Sequence, residues 1–137
     1  MTVLSIKPDD MKEVDWQRQV IDLAHLYGWK VAHFRPAKTE RGWRTPVQAD
    51  GAGFPDLVLV KPGRPVVFAE LKAKKNKLSP TQQEWIEALK AARVRGDQPS
   101  VGVYVWYPTD FDEVQEVLGQ NAQLQLAAPL APRRAAG

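Results

Sequence analysis

An α/β domain, a mixed β-sheet with helices on its faces, is predicted for this chain of 137 residues by three features of its sequence. Two apolar runs, Leu57–Val60 and Val66–Lys72, flank the turn-forming stretch Lys61-Pro62-Gly63-Arg64-Pro65 and read as a β-hairpin. The helix-start signature Ser79-Pro80-Thr81-Gln82 then separates that hairpin from the strongly β-prone run Ser100–Tyr107, so a helical crossover allows parallel pairing there. An amphipathic helix and one strand precede the hairpin, which gives the order α-β-β-β-α-β-α.

The first helix is signalled by Trp16, Val20, Leu23, Ala24 and Tyr27 on one stripe, with Gly28 as its end. Asp9-Asp10 lie ahead of it, and Asp10-x-x-Glu13 fits a capping box, in which Glu13 returns to the N-cap amide. Glu13 and Gln17 are four residues apart and share a side of the helix, so a ligand role for Glu13 competes with the cap. Trp29–Phe34 alternates like a first strand, with Val31 and His33 on one face; His33 reads as structural. Pro36–Ala52 is polar, basic and rich in turn residues, and reads as a long loop. Arg35, Lys38, Arg41 and Arg44 surround Trp43 there, a composition suited to holding phosphates and stacking on a base, or to a solvated loop with one tryptophan packed back.

After the hairpin, Ala73–Leu78 carries three lysines, of which Lys74 and Lys75 follow closest on Lys72 and are candidates for phosphate contact. In the second helix Ser79 is the N-cap, Pro80 is N1 and Gln82 is N3, with Trp85, Ile86, Leu89 and Ala92 as the buried stripe to about Arg93 or Arg95. Capping explains Gln82; a position in the same cleft as the hairpin's carboxylates explains it equally. Ser100–Tyr107 is apolar on both parities and therefore reads as an interior strand covered on both faces, ended by Pro108. Thr109 or Asp110 then caps a short helix containing Phe111, Val114, Val117 and Leu118. The domain so defined spans residues 9–119, and residues 120–137, rich in Ala, Gln, Leu and Pro, read as a disordered tail.

Composition narrows the chemistry. The chain is 44% hydrophobic and 26% charged, and its nineteen Lys and Arg against sixteen Asp and Glu leave a formal charge of +3, which permits a polyanionic partner without requiring one. There is no cysteine, which excludes disulfides, zinc–thiolate sites and thiol nucleophiles, and only His25 and His33 are available for an imidazole site. No apolar run approaches about 20 residues and no signal-peptide pattern opens the chain, so a cytoplasmic protein without membrane contact is expected.

The hairpin carries the chemistry that remains. If its five-residue turn closes tightly, Val60 lies opposite Val66 and Asp56 falls opposite Glu70, with Lys72 on the same face. Two carboxylates across a strand pair repel, and a divalent cation between them removes that repulsion. Oxygen-rich sites of this kind suit Mg²⁺ or Mn²⁺, ions that also bind phosphate oxygens.

Pro55-Asp56, thirteen intervening residues, and Glu70-Leu71-Lys72 resemble the core of the PD-(D/E)xK nucleases. The wider set, E-V-D-W-Q-R-Q-V-I-D-L-A, G-F-P-D-L-V-L-V, F-A-E-L-K, K-L-S-P-T-Q-Q-E-W and V-Y-V-W-Y-P, falls in order across residues 12–118 and resembles the VRR-NUC family. The resemblance implies a restriction-endonuclease-like fold and a Mg²⁺- or Mn²⁺-dependent DNA endonuclease. It implies Asp56 and Glu70 as metal ligands, the Leu71 carbonyl as a further one, and Lys72 as the catalytic lysine. It also moves Glu13, as a metal ligand, and Gln82 from capping to the active site. Stand-alone members resemble viral or bacterial enzymes that dimerise and cut branched DNA, including four-way junctions; larger eukaryotic members carry extra DNA-binding domains, which are not expected here. A homodimer is therefore expected, in a host cytoplasm if the source is viral. A nicking nuclease without structure preference and a catalytically idle nucleic-acid-binding module are the competing functions.

Overall fold

The computed structural model describes residues 6–34, 47–92 and 101–119, together with the main chain of 37–39 and 42–44. Helix α1 (Glu13–Leu26) forms where the apolar stripe predicts, with Trp16, Val20 and Ala24 fully buried. It closes on Gly28, whose φ of +89° lets the chain reverse while Trp29 N–H returns to the Ala24 carbonyl at 2.9 Å. Its start differs from the sequence expectation. Pro8–Asp10 form a separate 3-10 turn, Lys12 is the N-cap without a side-chain hydrogen bond, and Glu13 is the first helical residue. The Asp10–Glu13 capping box is therefore absent, because the proline-led turn uses Asp10 itself and releases the Glu13 carboxylate for other partners.

Strand β1 (Lys30–His33) leads to a short pair, β2 (Ala37–Thr39) and β3 (Gly42–Arg44), and then to β4 (Leu57–Val60) and β5 (Val66–Leu71). Helix α2 (Pro80–Ala91), strand β6 (Val101–Trp106) and helix α3 (Phe111–Gly119) complete the order. The main sheet runs β1-β4-β5-β6, antiparallel at the first two junctions and parallel between β5 and β6. That is the mixed sheet expected of a hairpin followed by a helical crossover. The hairpin register pairs Leu57 with Ala69, Val58 with Phe68 and Leu59 with Val67, so the next positions outward are Asp56 and Glu70.

One face of the sheet meets α1 and α3. Leu57, Leu59, Val67, Ala69 and Leu71 point there and form a single buried cluster with Trp16, Val20, Trp106, Val114 and Leu118. Burying each of the leucine and valine side chains contributes about 1.5–3 kcal/mol before entropy is counted. The ends are tied as well: Trp29 Nε1 and Arg64 Nη2 donate to the Leu118 and Val117 carbonyls at 2.8 and 3.2 Å, satisfying acceptors that the last turn of α3 leaves open. The opposite parity of β5, Phe68 and Glu70, faces α2, where Phe54 stands edge-on to Phe68 and Trp85 with centroids 6.3 and 5.0 Å apart.

Two further expectations are corrected. The stretch 36–52 is not one loop, since β2 and β3 pair antiparallel within it, Ala37 opposite Arg44 and Thr39 opposite Gly42. Three-residue strands are too short to display alternation, and Glu40-Arg41 between them is not one of the dipeptides that announce a hairpin. Strand β6 is not interior: among the described residues it pairs only with β5 and ends the sheet. It is apolar on both parities because both of its faces are covered, Tyr104 and Trp106 joining the α1/α3 layer while α2 packs against the strand. Parity reports face cover, not place in the ladder. Helix α2 is described to Ala91 with Ala92 as C-cap, short of Arg93. The expected tail, residues 120–137, lies outside the described residues.

Candidate active site

The site is built where the hairpin opens. Asp56 immediately precedes β4, and its main-chain carbonyl accepts from Phe34 N–H at 2.8 Å, which fixes it to the end of β1. Its side chain turns across the hairpin: Oδ2 accepts from Leu71 N–H at 2.8 Å. The N–H and C=O of one strand residue leave on the same side, so the Leu71 carbonyl is directed toward Asp56 as well, while Lys72 N–H points the other way, to the Trp106 carbonyl at 3.0 Å. Glu70, 2% exposed, lies beside Asp56.

Three groups approach the Glu70 carboxylate. Gln82 Nε2 donates to Oε2 at 3.0 Å, Lys72 Nζ stands 3.9 Å from the same oxygen, and Asp56 presses from across the hairpin. Burial is the main reason that the Glu70 carboxyl is pushed up to about 8, with the Asp56 charge next; Lys72 opposes both, and the Asp56 main-chain N–H opposes only weakly. Asp56 is raised to about 6, again chiefly by burial, against the downward pull of the Leu71 N–H. Glu13 raises both.

Gln82 resolves the two readings of its sequence position by satisfying both. Its Oε1 accepts from Ser79 N–H at 2.8 Å and its main-chain N–H donates to Ser79 Oγ at 3.2 Å, a complete capping box, while Nε2 of the same amide reaches Glu70. Gln17 has a role that spacing only hinted at. It is 7% exposed and its Nε2 donates to Glu13 Oε2 at 3.4 Å, so one buried amide orients the helix carboxylate. The start of α1 is pinned to the strand ends by Trp16 Nε1, which donates to the Trp106 carbonyl at 3.0 Å. That carbonyl thus accepts from Lys72 N–H and from α1 at once.

Glu70 Oε1 is buried and no donor of hydrogen-bond geometry reaches it among the described residues. Two repelling carboxylates, one with an orphaned oxygen, and a main-chain carbonyl aimed alongside are a donor set that fits a hard divalent cation. The set is incomplete without solvent or substrate, since among the described residues no three His, Cys, Asp or Glu side chains gather into a cluster that holds an ion unaided. Glu13 is within electrostatic reach of the pair but hydrogen-bonded to Gln17.

The VRR-NUC domain model matches residues 9–97, well over half of the chain. This chain belongs to the VRR-NUC family. A VRR-NUC domain is a nuclease of the PD-(D/E)xK type, a class that typically works with divalent metals and acts on DNA. No curated protein matches the chain. The matched residues contain all of Glu13, Asp56, Glu70, Leu71, Lys72 and Gln82, and the fold brings these residues to one end of the sheet.

The basic candidates divide. Lys74 and Lys75 are exposed in the turn after β5, where Lys74 adopts φ +55° and Asn76 N–H closes on the Ala73 carbonyl at 3.1 Å. Tyr107 Oη donates to the Asn76 carbonyl at 2.6 Å and ties this turn to the end of β6, a link no sequence signal announces. Lys38 and Arg44 lie on β2 and β3, and Arg35 and Arg41 fall outside the described residues. His33 borders a hollow of about 160 Å³ with Val14, Gln17, Arg18 and Ile21. A hollow of about 450 Å³ beside α2, with Asp50, Thr81, Glu84 and Trp85 in its wall, contains none of the carboxylate cluster. No helix among the described residues is long and apolar enough to cross a membrane.

Proposed function

We propose that this VRR-NUC domain is a metal-dependent DNA endonuclease that hydrolyses phosphodiester bonds in branched or structured DNA, in the manner of a junction resolvase. The observation that carries the reading is the opposed pair Asp56 and Glu70 with the orphaned Glu70 Oε1 and Lys72 Nζ alongside. Asp56, Glu70 and the Leu71 carbonyl would hold Mg²⁺ or Mn²⁺, with Glu13 as the outer carboxylate. When bound, such an ion polarises the phosphoryl group and lowers the pKa of a water.

The chain's own residues do the rest. Gln82 holds Glu70 Oε2 in place and leaves Oε1 for the ion. The Leu71 N–H fixes the Asp56 carboxylate so that both acids face the same point. Lys72, kept beside Glu70, orients the attacking water and offsets charge that grows on the phosphate during attack. Lys74 and Lys75 hold neighbouring phosphates without reading bases, as exposed lysines on a fixed turn do.

Cutting both arms of a symmetric branch requires two such sites, and a two-fold homodimer supplies them. The test combines cleavage and mass. Labelled four-way junction, linear duplex and supercoiled plasmid are incubated with the protein in Mg²⁺, Mn²⁺ or EDTA, and its mass is read by light scattering. Paired, symmetric cuts in the junction by a dimer, lost in EDTA and in Glu70→Ala, are expected. Plasmid nicking that spares the junction overturns the branch preference, and tight metal-independent binding without cleavage overturns the enzyme.

A further inference from the structure

We propose that Gly53 is a positioning residue of this site: its main chain is the seat against which the first turn of α2 rests, and that seat aims the Gln82 amide at Glu70. The inference rests on the nuclease reading only where activity is the readout.

Gly53 has φ +84°, and a Cβ there would lie 2.5 Å from the Thr81 carbonyl carbon, 2.7 Å from the Thr81 oxygen and 2.7 Å from Gln82 N. All three are main-chain atoms of one peptide unit, and none can swing aside as a flexible side chain would. That peptide unit leads directly into the Cα that carries the Gln82 amide. Ordinary contact with a Cβ begins near 3.4 Å, so any side chain at position 53 pushes the turn away by several tenths of an ångström or more. The Gln82–Glu70 hydrogen bond, already 3.0 Å long, has little room to lengthen before it is lost.

The loop cannot retreat in the other direction. Phe54 stands between Phe34, with centroids 5.2 Å apart, and Trp85, at 5.0 Å, and Pro55 is fully buried. Trp85 Nε1 also donates to the Asp50 carbonyl at 3.0 Å, so α2 and the loop hold each other from both sides. Three residues beyond Gly53 is Asp56 itself. One short segment therefore fixes one carboxylate directly and the other through Gln82.

Gly63 provides the control. It has nearly the same backbone, φ +81°, but nothing lies within 4 Å of the Cβ position, so Gly63→Ala imposes the left-handed strain without the clash. The direct readout is the side-chain amide resonance of Gln82 in a nitrogen-15 spectrum, identified by its absence in Gln82→Ala. Gly53→Ala is expected to move it to the position of a solvated glutamine amide, and Gly63→Ala to leave it in place. In cleavage, Gly53→Ala is expected to lose about tenfold or more, and to add no more than about twofold in a Gln82→Ala background, because both changes remove one interaction. An unshifted resonance in folded Gly53→Ala, or fully additive losses, overturns the proposal. If Gly53→Ala does not fold, Trp85→Phe loosens the same grip without adding bulk, and a wild-type Gln82 resonance in that variant overturns it instead. A wild-type protein that cuts no DNA overturns the nuclease reading, while the resonance still judges Gly53.

Discussion

Gln82 Nε2 donates to Glu70 Oε2 at 3.0 Å while Oε1 of the same amide accepts from Ser79 N–H at 2.8 Å. A helix cap and a site contact are thus one side chain, and the two functions are separable by substitution. Gln82→Glu keeps an acceptor for Ser79 but removes the donor to Glu70 and adds a carboxylate beside it. Gln82→Ala removes both side-chain bonds while the Ser79 Oγ cap on the residue-82 main-chain N–H remains, and should lower stability by about 1 kcal/mol, the usual net worth of a hydrogen bond. Denaturant unfolding of the metal-free protein near pH 9, above the value of about 8 to which the Glu70 carboxyl is raised, should show Gln82→Glu as the less stable of the two, through repulsion. Below about pH 7, where Glu70 is mostly protonated, their order should reverse.

The raised carboxyls make the metal-free protein sensitive to pH. Glu70 and Asp56 are held at about 8 and about 6, above their ordinary values of 4.5 and 3.8, so the folded state binds more protons than the unfolded chain between those limits. Stability from this source is complete below about pH 4 and is lost as pH rises toward 8. Thermal melts in EDTA should fall across that window. Saturating Mg²⁺ or Mn²⁺ should flatten the fall, with proton release on binding measurable by calorimetry in buffers of different ionisation enthalpy.

Removing one of the two charges should have opposite effects on stability and function. Glu70→Gln keeps the shape and ends the repulsion with Asp56, so metal-free Glu70→Gln should melt higher than wild type near pH 8. The same variant should lose the metal's stabilising effect and cleave DNA at least about a hundredfold more slowly.

Lys72 stands 3.9 Å from Glu70 with its side chain mostly covered. Lys72→Met retains the aliphatic stem and removes the ammonium. Cleavage should fall by about 10²- to 10⁴-fold, the range for a positioned proton-transfer group. Metal-induced stabilisation should persist, because the Asp56 and Glu70 oxygens remain.

For DNA affinity the lysine turn is the test. Replacing Lys74 and Lys75 together by alanine should reduce the slope of log affinity against log salt by about 0.9 for each phosphate that is no longer neutralised. The weakening should be uniform across sequences, as befits side chains that grip only the DNA backbone.

The sequence made the hairpin and its register readable because turn length, apolar parity and the spacing from Asp56 to Glu70 all constrain the same pairing. Ser79 and Gln82 were readable as a cap because capping is local. What stayed hidden depends on residues far apart in the chain. The Asp10–Glu13 box fits the local pattern but gives way to a proline-led turn. Strand β6 looked interior because side-chain parity cannot distinguish two covered faces from two paired edges. The hydrogen bonds from Tyr107 to Asn76 and from Trp16 to Trp106 join segments 31 and 90 residues apart, and neither has a local signature.

The second of these bears on how the protein tolerates change. The Trp106 oxygen that receives both Trp16 Nε1 and Lys72 N–H belongs to the polypeptide backbone, and every amino acid at position 106 would bring the same atom. Drift at that codon can therefore alter core packing without removing the acceptor that joins helix to strand. The genetic liability sits at position 16, where only a side chain with a donor at tryptophan's reach maintains the joint.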